Sequence, residues 1–212
     1  MDKAQTKPSS KDLIDALERI YGMRYSILRE VTIVDPEESE MYAAYYYRTY
    51  PEYYAKTMEM RKISQEDLPE IPDDYFPGKN PVVRRIDALM LGSMDAYGEY
   101  PATAVEVKVS RADFRRDTEA KRKAWFKVTN RFVYLVPKDL IKPEETPEGC
   151  GLWYWEQGRI TIAKKAKIRH HVDPFPVSFN SYLIGRAARA ESELRHIKKR
   201  SQYSNPSILD RH

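Results

Sequence analysis

An alternating segment, V-E-V-K-V at residues 105–109, constrains this chain more than any other. Side chains alternate between the two faces of a β-strand, so the three valines share one face while Glu106 and Lys108 share the other. The valines are predicted to face the core. A carboxylate and an ammonium in the middle of such a strand need partners, because unpaired buried charges are costly.

The expected partner of Glu106 lies on a preceding strand. Residues 82–91 (VVRRIDALML) and 104–109 are both β-rich, and the segment 92–103 between them has the glycines and proline of a turn region. Antiparallel pairing of the two strands brings Asp87 beside Glu106. Two adjacent carboxylates repel each other, and Mg²⁺ prefers a small number of hard oxygen ligands, so a metal ion would relieve the repulsion.

The sequence therefore predicts a Mg²⁺ site whose ligands are the carboxylates of Asp87 and Glu106 and the main-chain carbonyl of Val107. Waters and a substrate phosphate would complete the coordination shell. Lys108 is predicted to position or help deprotonate the attacking water and to stabilise charge on the phosphate. Asp87, Glu106 and Lys108 are thus candidate catalytic residues for phosphodiester hydrolysis. The alternative is an ordinary salt bridge on an edge strand.

The remaining pattern predicts an α/β protein with a mixed sheet. A strand, a helix and a second strand between 104 and 137 form a βαβ crossover, and S-R-A-D at 110–113 has the form of a helix capping box. The other predicted elements are a helix at 11–21, a strand at 25–34, a helix at 111–128, a strand at 131–137 and a hairpin of 151–156 with 159–163.

Two segments extend this core. Residues 36–80 are predicted to form a tyrosine-rich helical insertion and then an irregular, proline-rich connection. The seven tyrosines between positions 42 and 54 are interpreted either as a platform that stacks unpaired bases or as a packing face. A basic helix is predicted at 180–200.

Charge is distributed unevenly along the chain. Residues 108–212 contain 23 Lys and Arg against 12 Asp and Glu, a net charge of +11, whereas residues 1–107 have a net charge of −7. A surface of the second half is expected to face a polyanion, although solvated helix faces give the same pattern.

Composition excludes several classes. The mean hydropathy of −0.70 indicates a globular protein with a densely charged surface, and no apolar run is long enough to span a membrane. The first residues lack an apolar signal-peptide core, and the single cysteine, Cys150, cannot form an intramolecular disulfide. A cytoplasmic protein is expected, with Cys150 a free thiol. His170 and His171 are adjacent, so a shared metal ion is not expected there.

R-R-I-D at 84–87 and E-V-K at 106–108, followed by a predicted helix and an apolar strand, resemble the PD-(D/E)xK nuclease superfamily. Within it, residues 83–137 are similar to the MmcB-like DNA repair proteins. The resemblance implies a restriction-endonuclease-like core in a single domain over 1–212, with the helical insertion at 36–80. It also implies a Mg²⁺-dependent deoxyribonuclease, for which Mn²⁺ can substitute, in DNA repair, recombination or phage DNA processing.

The superfamily also uses an upstream acidic residue. Glu30 and Glu18 both qualify, and Glu30 is favoured as a further metal ligand. Arg111 and Arg115, at the start of the helix predicted next to the site, are candidate DNA-binding residues. Lys121 is another, because superfamily members place a basic or amide group there. Two alternatives remain: a DNA-binding accessory protein with little turnover, and an RNA-directed nuclease.

Overall fold

The computed structural model describes residues 7–78, 82–93 and 101–203. They form two compact units, one ending at Asp173 and the other beginning at Pro174. The first contains the whole described sheet and every predicted site residue. The interpretation of the chain as one domain stays a prediction.

Among the described residues, six strands form one mixed sheet in the order of the sequence. The first three strands are antiparallel neighbours, the third, fourth and fifth are parallel, and the last two form a hairpin. The predicted α/β class and the parallel crossover are confirmed. The strands are β1 (Ser26–Val34), β2 (Val83–Leu91), β3 (Ala102–Val107), β4 (Arg131–Pro137), β5 (Gly151–Glu156) and β6 (Arg159–Lys164).

Helices lie on both faces of the sheet. Helix α1 (Ser10–Tyr21) starts at a capping box formed by Ser9 and Asp12, and its Leu13 and Leu17 belong to the core cluster on the valine face of β3. The other face carries Glu106. A helix at Glu119–Val128 contacts β2 and β4 and sends Lys121 to Glu106. The site therefore lies between the sheet and this helix.

The predicted helical insertion is confirmed. It contains α2 (Pro36–Thr49) and α3 (Pro51–Arg61), each starting with the proline that is tolerated in a first helical turn. Asp35 caps α2 and accepts a hydrogen bond from Arg84 of β2 at 2.7 Å, which ties the insertion to the sheet. A separate small core lies within the insertion, formed by Ala44, Tyr47, Met58 and Leu68.

The single helix predicted at 111–128 is wrong. The chain forms a short α4 (Arg111–Arg115) and then α5 (Glu119–Val128), separated by residues 116–118. Ser110 caps α4 as expected, but Thr118 caps a second helix by accepting from the amide of Lys121. The break turns the side chain of Asp117 inward, where it meets charged and hydroxyl partners.

The third strand is also shifted from its predicted position. β3 begins at Ala102 rather than Ala104 and ends at Val107, although the amide of Lys108 still donates to the carbonyl of Leu135 on the neighbouring strand. The predicted turn region at 92–103 lies largely outside the described residues, which omit 94–100.

The second unit contains α6 (Val177–Tyr203), which matches the predicted basic helix at 180–200. Its charged residues include local pairs: Arg186 lies 5.7 Å from the centre of the Tyr182 ring, and Arg195 forms an ion pair with Glu191 at 3.8 Å. Within the described ranges, no helix is both long and apolar enough to cross a membrane.

Candidate functional site

Asp87 and Glu106 lie where the strands β2 and β3 begin to separate. The pairing of Ala88 with Val105 places Asp87 opposite Glu106 one step further along the register. At this step, Oδ2 of Asp87 accepts the backbone N–H of Val107 at 2.7 Å. The carboxylate thus replaces a main-chain acceptor, which fixes it beside Glu106.

Glu106 is buried, with 3% of its surface exposed. Its Oε1 accepts from the ammonium of Lys108 at 2.8 Å and from that of Lys121 at 2.6 Å. Its Oε2 is buried and has no hydrogen-bond partner among the residues that the structure describes. Buried carboxylate oxygens are normally satisfied, so this atom requires an explanation.

The charge of Asp87 affects the protonation of Glu106. Burial raises the pKa of Glu106 most, the negative charge of Asp87 raises it further, and the ammonium groups of Lys121 and Lys108 offset only part of the effect. The net result is a pKa of Glu106 above its ordinary value. A bound cation would stabilise the ionised form and remove this conflict.

Lys108 is almost completely buried and faces three acids. Burial lowers the pKa of Lys108, but the attraction and hydrogen bond of Glu106, together with Asp117 and Asp113, outweigh burial and leave the pKa raised. The side chain therefore stays an ammonium at neutral pH. This favours the predicted positioning and charge-stabilising role over acceptance of a proton from water.

Asp117 is the functional candidate that the sequence interpretation missed. Its side chain is 2% exposed, and its Oδ2 accepts from Arg122 at 2.9 Å and from the hydroxyl of Tyr134. Its other oxygen, Oδ1, lies 3.7 Å from Nζ of Lys108 and has no hydrogen bond from a described residue. The Lys108 ammonium therefore lies near Asp117 as well as against Glu106. The N-cap residue Thr118, directly after it, was the available signal.

The donor set is compatible with Mg²⁺. Within residues 7–78, 82–93 and 101–203, no group of three or more His, Cys, Asp or Glu side chains could hold a metal ion. Mg²⁺ needs fewer, because it is commonly bound by one or two carboxylates with waters and substrate phosphates. The carboxylates of Asp87 and Glu106 meet that requirement, since Oε2 of Glu106 has no partner among the described residues. Val107 follows Glu106 on β3, and its backbone N–H binds Asp87.

The two candidate upstream acids differ in position. Arg29 pairs with Ala88 and Val31 pairs with Ile86, so Glu30 lies opposite Asp87 in the register. Glu30 is exposed and has a left-handed backbone, with φ of 48°. Glu18 instead accepts two hydrogen bonds from Arg29. Register therefore favours Glu30.

The predicted DNA-binding residues also differ. Arg111 donates to the carbonyl of Leu140 at 2.9 Å and forms an ion pair with Glu145, so its guanidinium is directed to the loop after β4. Arg115 is exposed. Lys121 is only 22% exposed and contacts Glu106, so it belongs to the site itself.

The minor candidates lie apart from this site. His170 and His171 are exposed, and neither belongs to a metal-binding group in the described part of the chain. Cys150 is a buried free thiol, and burial raises its pKa to about 11, which disfavours the reactive thiolate.

No protein-family model matches this chain, and no curated protein matches it. A solved structure with some similarity is the SPO1766 protein of unknown function from Silicibacter pomeroyi, which is 23% identical. The match covers 66% of this chain and 84% of that one, with a TM-score of 0.39. Similarity at this level supports no conclusion about function.

Proposed function

We propose that this protein is a Mg²⁺-dependent deoxyribonuclease with a restriction-endonuclease-like core and the catalytic residues Asp87, Glu106 and Lys108. The observation that carries the proposal is the buried Oε2 of Glu106, which has no hydrogen-bond partner among the described residues. The negative charge of Asp87 also acts on this carboxylate, so the pair attracts a cation. An unsatisfied buried oxygen is destabilising, so a cation bound at this atom would stabilise the site.

In this proposal, Asp87 and Glu106 hold the metal, and the carbonyl of Val107 and the carboxylate of Glu30 are further candidate ligands. Bound Mg²⁺ would supply charge stabilisation at the phosphate and a lower pKa for a coordinated water. Lys108, which contacts Glu106 and lies near Asp117, donates hydrogen bonds to the attacking water or to a phosphate oxygen. Lys121 holds Glu106 in place and neutralises part of its charge.

DNA is the proposed partner because the second half of the chain carries a net charge of +11 and phosphate contacts dominate nucleic-acid affinity. Exposed Arg115 lies at the end of α4, on the segment that joins Lys108 to α5, and is a candidate cation for flanking phosphates. Because its pKa is raised, Lys108 also keeps a positive charge at the site, which attracts phosphate.

One observation favours a second candidate, a DNA-binding accessory protein with the same fold. The ammonium groups of Lys108 and Lys121 both contact Oε1 of Glu106, so two lysines already offset part of the negative charge that a metal ion would offset. Such a site can persist without a metal ion and without turnover.

End-labelled single-stranded, duplex and branched DNA, with an RNA strand in parallel, would be incubated with Mg²⁺, Mn²⁺ or EDTA. Wild type would be compared with Glu106→Gln and with Glu52→Gln, a matched change at an exposed position on α3. Metal-dependent cutting that is lost only in Glu106→Gln supports the nuclease. Binding of DNA without cutting under every condition supports the accessory protein, and cutting of RNA alone would change the substrate class.

A further inference from the structure

A cavity of about 340 Å³ lies on the sheet face opposite Glu106, with an opening to solvent. Its floor includes Met90 and Val133, and Met90 belongs to the core cluster under α1. The volume is at the small end of the range for ligand pockets. The proposed nuclease site uses none of its lining residues.

Aromatic rings form one wall of this cavity. The rings of Tyr21 and Trp153 stack with centres 5.4 Å apart and an angle of 28° between their planes, and Tyr25 meets Tyr21 edge-on at 6.2 Å. Burial raises the pKa of Tyr21, so its hydroxyl stays a neutral hydrogen-bond donor. Such a wall suits a planar ring, because stacking on aromatic side chains stabilises bases of any sequence.

Two cations lie among the other lining residues. Arg131 begins β4 and Lys165 follows β6, and no Asp or Glu is among the described residues that line the cavity. Neither cation forms an ion pair with a residue in the described ranges, whereas Lys108, Lys121 and Arg111 all do. Unpaired cations beside apolar surface favour an anionic ligand, and a guanidinium matches phosphate geometry.

We propose that this cavity binds a nucleoside monophosphate, with the base against Tyr21 and Trp153 and the phosphate at Arg131 and Lys165. Thr103, a buried hydroxyl in the lining, supplies a further polar contact. The ligand is a planar base that carries a phosphate dianion. A free mononucleotide and the 5′-phosphorylated end of a strand both have this chemistry. The proposal does not depend on cleavage, because the site faces away from Glu106.

Ligand binding can be followed by the fluorescence of Trp153, because this residue lines the cavity. The purified full chain would be titrated with dAMP, dCMP, deoxyadenosine, inorganic phosphate and a 5′-phosphorylated oligonucleotide, with tryptophan fluorescence and calorimetry as readouts. Saturable quenching by the monophosphates, and binding at least tenfold weaker by the nucleoside and by phosphate alone, are expected. Binding of both monophosphate and oligonucleotide indicates recognition of a strand end, and binding of monophosphate alone indicates a free nucleotide.

Variants assign the binding to this cavity. Arg131→Gln and Lys165→Gln are each expected to weaken monophosphate binding roughly tenfold, because each removes a charge-assisted contact. Lys56→Gln, the same change at an exposed position on α3, should leave binding unchanged. Trp153→Phe should keep the calorimetric signal and lose the quenching. Lys165 is exposed, so its substitution tests the site even if Arg131→Gln fails to fold.

The Glu106→Gln variant separates this proposal from the nuclease. It should bind monophosphate like wild type whether or not wild type cuts DNA. Absence of binding at millimolar concentrations, equal binding of deoxyadenosine, or full affinity in the Lys165→Gln variant would overturn the nucleotide site.

Discussion

The carboxylate–lysine site and the tyrosine-rich insertion belong to the same compact unit, but they are constrained in opposite ways. At the site, Glu106 and Lys108 are buried and each contacts several charged partners. In the insertion, Tyr50 and Tyr53 are 53% and 81% exposed. Geometry at the site is therefore set by long-range strand register, and geometry in the insertion is set by local helix packing.

The tyrosine-rich insertion also differs from the carboxylate–lysine site in net charge. Residues 36–78 contain ten acidic and four basic side chains, a net charge of −6. The tyrosines contact mainly one another, for example Tyr46 with Tyr50 at 6.1 Å and Tyr47 with Tyr54 at 5.4 Å. An acidic surface repels phosphates, so these observations favour a packing face over a base-stacking platform. Aromatic and basic residues that are close in sequence do not suffice for nucleic-acid binding.

The largest effect is expected on the rate of DNA cleavage, from substitutions in the carboxylate–lysine site. Asp87→Asn and Lys108→Met should each lower kcat for DNA cleavage roughly 10³-fold, because each removes a group that holds or stabilises the reacting phosphate. DNA affinity should change little, since the basic half provides the phosphate contacts. Single-turnover cleavage and filter binding measure the two quantities, with Asp73→Asn in the insertion as the control. Wild-type cleavage by both variants would contradict the assignment.

A smaller effect is expected at Asp117. Asp117→Asn removes a negative charge 3.7 Å from Nζ of Lys108, so the pKa of Lys108 should fall and kcat should drop on the order of tenfold, with little change in KM. The alkaline loss of activity should move to lower pH. A pH–rate profile checks this, with Glu119→Asn on the exposed start of α5 as the control. An unshifted alkaline limb would make Asp117 purely structural.

Stability should depend on Glu106 and pH. Since the folded-state pKa of Glu106 is raised, the folded protein keeps a proton that the unfolded chain releases. Without metal, the free energy of unfolding should therefore fall as pH rises from the usual glutamate pKa to the raised value.

Urea unfolding in EDTA at a series of pH values, for wild type and Glu106→Gln, isolates this change as a difference between the two curves. Mg²⁺ should reverse the fall in wild type only. Parallel curves in EDTA would mean that the environment of Glu106 does not disfavour its charge.

The smallest effect is expected in the insertion. Tyr53→Ala should change affinity for single-stranded DNA by less than about twofold, because the surrounding acidic residues disfavour phosphate. A base-stacking residue would instead lose on the order of tenfold or more. Fluorescence anisotropy with a labelled oligonucleotide distinguishes these outcomes, and Tyr53→Phe provides the matched control. A tenfold loss of affinity in Tyr53→Ala, with wild-type affinity in Tyr53→Phe, would support the base-stacking platform instead.

The sequence predicted those parts of the fold that depend on alternation and local signals. The V-E-V-K-V pattern was enough to put Glu106 and Lys108 on one face, and the order of strands led to the parallel crossover. Asp87 was placed beside Glu106 because both strands had strong β patterns on each side of a turn. These inferences need only the two-residue period of a strand.

The inward turn of Asp117 does not follow from strand alternation, and the N-cap residue Thr118 signals only the helix break beside it. The capping box at Ser110 and the run of basic residues after it favour one continuous helix, and the local pattern does not reveal that Arg122 and Tyr134 would compensate a buried carboxylate. The prediction of Arg111 as a DNA-binding residue has the same weakness, because its partner Glu145 is distant in sequence. Long-range charge pairing leaves little trace in a single sequence.

The split between α4 and α5 has a consequence for how the molecule opens. Helices of five and ten residues are too short to be stable alone, so their amide protection depends on tertiary contacts. Asp117, in the gap between them, supplies several of those contacts through Arg122 and Tyr134. The segment from 111 to 128 should thus exchange its amide hydrogens as one cooperative unit, and its protection factor should rise or fall with the ionic state of the site.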